Sequence, residues 1–389
     1  SLGSTEAAKC ISAGIWRVLP DAVIDVVPIA DGGEGTAVTL TEALGGKLNQ
    51  VSVQGPMADT VNAVFGILPG GEAVLDMASA SGLTLIQEGK KDILAATTYG
   101  VGQLISAALD QGCQRIYLGI GGSATNDGGI GMAQALGVRF LDDKDRNLSR
   151  QASAQPLPAQ PSPSVFLAGR HLSDIAAIDL SGLDPRLLST EILVLCDVTN
   201  PLCGPLGASH VYGPQKGADP TEIALLDEGL SHLAALIQQS TNRDLAELPG
   251  AGAAGGLGFG LMAFTNAKLH PGIDFMLTAA DFDDKISRAD LVITGEGRLD
   301  RQSAFGKTPA GIAHRCAASG TPVIAIGGAI EGSMSALYEA GISAIEAAVC
   351  APIPLAEAME KAPAYLTDAA ERIIRAISLG SRLNPIDQR

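Results

Sequence analysis

Aromatic side chains are scarce in this 389-residue chain: one Trp, five Tyr and eight Phe make up 4% of it. Proteins that read nucleic acid need aromatic platforms for stacking and clustered cations for the backbone. Both are missing. Asp and Glu outnumber Lys and Arg by 42 to 26, the formal net charge is −16, and no cluster of five or more basic residues occurs. This argues against a nucleic-acid partner. Six cysteines (Cys10, Cys113, Cys196, Cys203, Cys316 and Cys350) form no C-x-x-C pair and no zinc-like spacing with the five histidines, so reduced, mostly buried thiols are expected. No apolar run reaches the roughly 18 residues of a membrane span. No signal peptide opens the sequence, and a cytoplasmic protein without a membrane partner is the expectation. Homo-oligomer formation stays open.

What the chain has in plenty is glycine, 47 residues against a usual share of ~7%, together with 46% hydrophobic residues and a mean hydropathy of +0.24. That is enough apolar surface for two or three packed domains. The stretch from Arg115 to Met132 organises the rest. An apolar run, Ile116 to Ile120, reads as a buried parallel strand that empties into Gly121, Gly122, Ser123, Thr125, Asn126 and Asp127. Helical spacing then resumes at Ile130 and continues to Gly137, a C-terminal cap. Glycines after a strand let backbone N–H groups approach an anion, so the loop reads as a phosphate cradle. Exposed acidic charge is screened beyond about 8 Å, and the basic residues nearest the glycine motifs are Lys216, Arg298 and Lys307.

Two more apolar runs end in similar loops. Residues 22–30 lead to Asp31-Gly-Gly-Glu34-Gly-Thr36, and residues 289–293 lead to Thr294-Gly295-Glu296-Gly297-Arg298-Leu-Asp300. The three loops are expected to face one cleft. Residues 51–74 alternate in antiparallel hairpin fashion. The small-residue run at 78–82 follows, and its Ser79 and Ser81 hydroxyls suit a polyhydroxy or carboxylate ligand, although a tight helix entry accounts for them equally well. Residues 192–196 form a buried strand that delivers Asp197, and 225–236 read as an amphipathic helix. Gly250 to Gly260 is too small and flexible to hold structure alone and should lie against another backbone or a ligand. The Pro-rich run 152–164 reads as a surface loop.

The simplest architecture is α/β: a doubly wound (Rossmann/flavodoxin-like) parallel-sheet domain of segments 1–46, 88–137 and 260–389, with an inserted mixed α/β domain of 47–87 and 138–259. The chemistry is expected in the cleft between them.

With these motifs in place the chain resembles bacterial glycerate kinases of the glyoxylate and glucarate pathway type over essentially its whole length. The resemblance rests on Pro28–Thr36, Gly119–Gly129, Cys196–Leu202, Gly213–Gly217, Gly252–Gly258, Leu291–Arg298 and Asp300. It implies ATP, a divalent metal such as Mg2+, and D-glycerate phosphorylated on a hydroxyl, with a lean toward the 2-position. Family members usually begin with a strand and a loop carrying Asp, Ser and Lys, and this chain starts just after that point.

Phosphoryl transfer asks for donors around the γ-phosphate, a metal, and a carboxylate to orient or deprotonate the acceptor. Gly121, Gly122, Ser123, Thr125, Asn126, Gly295 and Gly297 are the candidate nucleotide-binding positions, with Lys216, Arg298 and Lys307 as cations. Asp197, Glu296 and Asp300 are the candidate base and metal carboxylates, and Asp197 is preferred as base because a strand delivers it directly. Lys307 joins Asp197 and Glu296 as a catalytic candidate; Asp31, Glu34, Ser79 and Ser81 are candidates for the acid substrate. The rival reading is an NAD-dependent dehydrogenase, since Gly119-x-Gly121-x-x-Ala124 fits a dinucleotide fingerprint with Asp142 about 20 residues on. Against it, Asn126 and Asp127 put an acid where pyrophosphate should sit. A non-catalytic phosphate- or sugar-acid-binding protein is the third reading.

Overall fold

The computed structural model describes residues 2–27, 29, 35–150, 165–300, 303 and 308–380. The expected site residues Asp31, Glu34 and Lys307 and the Pro-rich run 152–164 lie outside them. The chain divides into two units, Asp31–Gly272 and Ser1–Ala30 with Ile273–Arg389.

In the larger unit the alternating residues make a hairpin as expected. Strands β1 (Lys47–Gln54) and β2 (Thr60–Ile67) pair antiparallel from Lys47 opposite Ile67 to Gln54 opposite Thr60. Strand β3 (Ala73–Asp76) pairs antiparallel with β2, and β4 (Arg115–Gly119) runs parallel to β3. Short strands β5 (Arg139–Leu141) and β6 (Ala177–Asp179) form their own antiparallel pair. Strand β7 (Glu191–Leu195) lies parallel beside β4, and β8 (Lys268–His270) parallel beside β7. The sheet order is therefore β1-β2-β3-β4-β7-β8. The sequence reading placed 47–87 and 88–137 in different domains, yet β3 and β4 are hydrogen-bonded neighbours. Burial explains the difference: every residue of β3 is buried, a pattern that a central strand shows and the edge of a separate hairpin does not.

Helices cover this sheet. In Tyr99–Asp110, Val101, Leu104, Ile105, Ala108 and Leu109 are buried at helical spacing, and burying each of its leucines and isoleucines stabilises by about 1.5–3 kcal/mol. The helix expected at 225–236 runs from Pro220 to Thr241. Its longer reach comes from its caps. Asp219 accepts from the Thr221 and Glu222 amides while Glu222 accepts from the Asp219 amide, and Asn242 closes the other end at φ 54°.

The smaller unit carries a parallel sheet of order β11-β10-β9, made of β9 (Val292–Leu299), β10 (Val323–Ile330) and β11 (Ala344–Ala347). Helix Thr308–Ser319 connects β9 to β10, and its Ile312, Ala313 and Cys316 pack with Val323 and Ala325 on one face. Ile324 and Ile326 pack on Ile373 and Ile374 of helix Ala362–Gly380 on the other.

Two expectations change here. The apolar run at 22–30 pairs in no strand among the described residues, and Val23 is 95% exposed. Val27 and Ile29 still pack against the Ile312 core. Apolar composition alone makes no strand without a neighbouring ladder of donors and acceptors. The glycine turn expected at 294–300 is itself strand: Glu296 lies opposite Gly327 and Arg298 opposite Ala329. Gly295 serves close pairing, since a Cβ there would stand 2.7 Å from the Ile326 carbonyl oxygen, and so does Gly328 on β10, where a Cβ would stand 2.5 Å from the Gly297 carbonyl oxygen; a Cβ on Gly297 itself would meet open space.

The cysteines were expected to be mostly buried, but only Cys113 and Cys316 are; Cys10, Cys196 and Cys203 are half-buried and Cys350 is exposed. None is disulfide-bonded, and burial pushes the Cys196, Cys203 and Cys316 thiols up to about 11, 12 and 11. No helix among the described residues is long and apolar enough to cross a membrane.

Helix Ser4–Trp16 packs on Ala362–Gly380 at very short range, because a Cβ on Gly14 would stand 2.1 Å from the Thr367 carbonyl oxygen. Gly14→Ala should force the pair apart at a cost of about 1–3 kcal/mol. Thermal unfolding measures this, and an unchanged midpoint would show that the helices tolerate the separation.

Candidate functional site

In the larger unit the polar groups gather at the carboxyl ends of β3, β4 and β7, where open α/β sheets bind ligands. Register puts Asp76, Gly119 and Leu195 side by side. Residues 120–129 follow β4, and Asp197 stands two residues past β7.

The 120–129 loop has a buried underside and an exposed apex at Gly122, which takes φ 74°. Residues 78–82 lie along one side. The Ala124 amide donates to the Ser81 carbonyl (2.9 Å) and the Leu83 amide to that of Gly122 (2.9 Å). From below, the loop meets the kinked helix Ala253–Phe264, where Ala254, Gly255 and Gly256 all have left-handed backbone. The Gly255 carbonyl accepts from the Gly128 amide at 3.0 Å, and a Cβ on Gly255 would stand 2.0 Å from the Thr125 carbonyl oxygen. The glycine-rich run at 250–260 does lie against another backbone.

Asp127 is fully buried. It accepts from the Thr98 amide and hydroxyl (both 2.8 Å) and from the amides of Gly129 (3.0 Å) and Gly131 (3.4 Å). Burial pushes its carboxyl up, while those donors pull the other way. Its carboxylate therefore occupies the start of helix Ile130–Ala135, the place where a dinucleotide pyrophosphate would have to sit. Asp142 is committed as well, to Arg146 and to the amides of Lys144 and Arg146 in its own turn, which hold it down at about 2. The dehydrogenase reading loses both of its anchors.

Lys216 ends a short turn, Pro214–Lys216, and is 3% exposed. Its Nζ donates to Ser123 Oγ (2.7 Å) and to the Thr125 carbonyl (2.8 Å). Burial pulls it from the usual 10.5 down to about 7, with nearby Asp127 acting in the opposite sense. Asn126 Nδ2 donates to Ser209 Oγ at 2.8 Å. Thr125 Oγ1 and Asn126 Oδ1 are buried without a hydrogen-bond partner among the described residues, each at a cost of about 1–3 kcal/mol.

The remaining candidates fall into place one by one. Asp197 is half-buried, and its Oδ1 accepts from the Gly272 amide at 2.7 Å. The Ser79 hydroxyl donates to the Asp76 carbonyl (2.7 Å) and that of Ser81 to the Thr97 carbonyl (3.0 Å), the bonds of a tight helix entry. In the smaller unit Glu296, Arg298 and Asp300 converge. Buried Ser303 donates its hydroxyl to Glu296 Oε2 (3.0 Å) and its amide to Asp300 Oδ1 (3.2 Å), while Arg298 pairs with Asp300 (3.4 Å) and Glu331 (3.2 Å).

Sequence reading passed over Asp76 and Ser303. Asp76 is 3% exposed and accepts from the Gly35 amide (2.6 Å) and the Ala78 amide (3.0 Å). Its signal, an acid at the end of a short apolar strand, is the same one that marked Asp197. Ser303 had no such signal.

A glycine loop and carboxylates at the carboxyl ends of parallel strands make up the ligand-binding arrangement of open α/β proteins. Residues 1–378 match the glycerate kinase family, and the chain belongs to that family. It is 45% identical over 374 residues to the glycerate kinase of Halalkalibacterium halodurans, covering 96% of this chain and 94% of that one. With the glycerate 2-kinase of Escherichia coli it shares 41% identity over 383 residues, 98% and 96% of the two chains. A crystal structure of a protein assigned as glycerate kinase 2, from Salmonella typhimurium LT2, superposes with a TM-score of 0.81 at 40% identity over 98% of this chain and 96% of that one. The non-catalytic reading finds no support in these relatives.

The Lys216 environment has a consequence for stability. Below pH 7 the lysine is protonated in both folded and unfolded chains; between about 7 and 10.5 only the unfolded chain keeps the proton, so this residue's contribution to stability rises with pH across that window. The midpoint difference between wild type and Lys216→Met should therefore move in favour of wild type as pH climbs from 7 to 10. A difference that stays constant would place the ordinary lysine value in the fold.

Proposed function

We propose that this protein transfers the γ-phosphoryl group of ATP to a hydroxyl of D-glycerate, most directly the 2-hydroxyl. The observation that carries the reading is membership of the glycerate kinase family across residues 1–378, combined with a glycine loop after β4 and Asp197 two residues past the neighbouring strand β7. The glycerate hydroxyl oxygen forms the new bond to phosphorus, the bond from the γ-phosphorus to its bridging oxygen breaks, ADP leaves, and the acceptor proton goes to a carboxylate. Asp197 is assigned as that base because it stands just past the carboxyl end of β7, the strand beside the one that opens into the glycine loop.

Gly121, Gly122 and Ser123, at the apex of the loop, are assigned to the nucleotide phosphates, with Arg298 and Lys307 as the cations. Asp31 and Glu34 are assigned to the acid substrate. Glu296 and Asp300 suit Mg2+: both offer oxygen, and this ion is usually held by one or two carboxylates together with substrate phosphates. Among the described residues no three His, Cys, Asp or Glu side chains are grouped to hold an ion by themselves. When bound, Mg2+ supplies neutralisation of phosphate charge. We read the parallel sheets as doubly wound and the protein as a cytoplasmic enzyme, and leave homo-oligomer formation to a light-scattering measurement.

The test is a coupled assay with ATP and D-glycerate that also identifies the phosphoglycerate formed. Wild type should turn over and give 2-phosphoglycerate, and Asp197→Asn should lower the rate by roughly 10²–10⁴. No turnover by wild type would end the reading; full turnover by the variant would remove Asp197 from the role of base.

A further inference from the structure

Lys216 was expected to meet phosphate directly, yet its side chain is among the most deeply buried charged groups in the chain. The turn that carries it is closed by Gly217 at φ 98°, where even a Cβ would press on Lys91 at 3.2 Å. The lysine stem is thereby directed beneath the 120–129 loop, and its hydrogen bonds to Ser123 Oγ and to the Thr125 carbonyl both end on that loop.

The direction of these bonds has a chemical consequence. A lysine ammonium has no lone pair and can only donate to a hydroxyl, so with Lys216 protonated Ser123 Oγ is the acceptor and its own O–H proton must point along another direction. The same lysine draws the Thr125 carbonyl inward. A loop that is to bind an anion needs donors on its open side and its carbonyls turned away, and Lys216 imposes both conditions from within. Two N–H donors suffice for the two bonds, and the amine has them whether or not it carries the third proton. In the neutral amine, however, the nitrogen lone pair can accept from Ser123 instead, so the directed arrangement belongs to the protonated form.

We propose that Lys216 is a positioning residue for nucleotide phosphate, acting through the Ser123 hydroxyl, which it fixes as a donor toward the open side of the loop. This rests on the reading of the loop as the nucleotide-phosphate site.

A double-mutant cycle on the full chain tests it, with Lys216→Met, Ser123→Ala and the pair. The readouts are the dissociation constant of a fluorescent ATP analogue and the KM values for ATP and D-glycerate. Each single variant should weaken ATP binding by about 10-fold or more, the scale of a hydrogen bond to a charged group. The double variant should be no weaker than the worse single one, and the KM for D-glycerate should hold. A merely structural lysine would instead lower kcat through a smaller folded fraction, with the analogue affinity of the folded protein unchanged. Multiplying effects in the double variant, or wild-type affinity in Lys216→Met, would overturn the proposal. Should Lys216→Met fail to fold, Ser123→Ala alone decides: wild-type analogue affinity in that variant also overturns the proposal. Failure of wild type to bind the analogue would instead count against the nucleotide reading itself.

Discussion

The larger unit depends on one buried carboxylate. Asp127 ties the Thr98 amide and hydroxyl to the Gly129 and Gly131 amides, and the Thr98 hydroxyl oxygen in turn accepts from the Met132 amide at 2.9 Å. Thr98 is the residue before helix Tyr99–Asp110, and Gly129 the residue before helix Ile130–Ala135. A single side chain thus joins the starts of two helices on the β4 layer. A carboxylate taken out of water without such donors would be strongly destabilising. With them it has a fixed position, and the loop between β4 and the second helix inherits that position.

The backbone around this carboxylate is crowded in a way only small residues allow. Gly255, Gly256 and Gly260 bring their segment so close to residues 125–129 that a Cβ on any of them would overlap backbone there. Ala254 accepts φ 54° beside them, a conformation that costs an L-residue about 1–2 kcal/mol. Strain in the kinked helix and two unpartnered polar atoms in the loop are both unfavourable, and the bonds from Asp127 and Lys216 oppose them. The outcome is a loop whose shape is set by its underside. That suits a phosphate cradle, since donors that need no reorganisation stabilise developing charge best.

Much of this was legible in the sequence. The strand at 116–120, the glycine loop after it, the helix to Gly137 and the hairpin at 47–67 follow from local patterns, and local patterns are what propensity and periodicity read. The 22–30 run and the 294–300 turn were not legible, because strand identity is decided by a neighbour. Residues 294–299 are strand on account of Gly327 and Gly328 on β10, a relation between positions some 30 apart in the chain. The same limit applied to Asp76, whose partner Gly35 lies 41 residues away.

Lysine position shows the limit most clearly. A Lys beside glycines in the acidic surroundings of this chain reads naturally as the local cation for an anionic ligand. Whether it turns toward ligand or protein depends on the turn that launches it, here closed by Gly217, and on acceptors 91 and 93 residues earlier. Burial then changes the chemistry of the group, pulling the lysine down to about 7 while its bonds to Ser123 and Thr125 hold it under the loop. A residue that reads as electrostatics in one dimension becomes geometry in three, and the anion-binding duty passes to the groups that it orients.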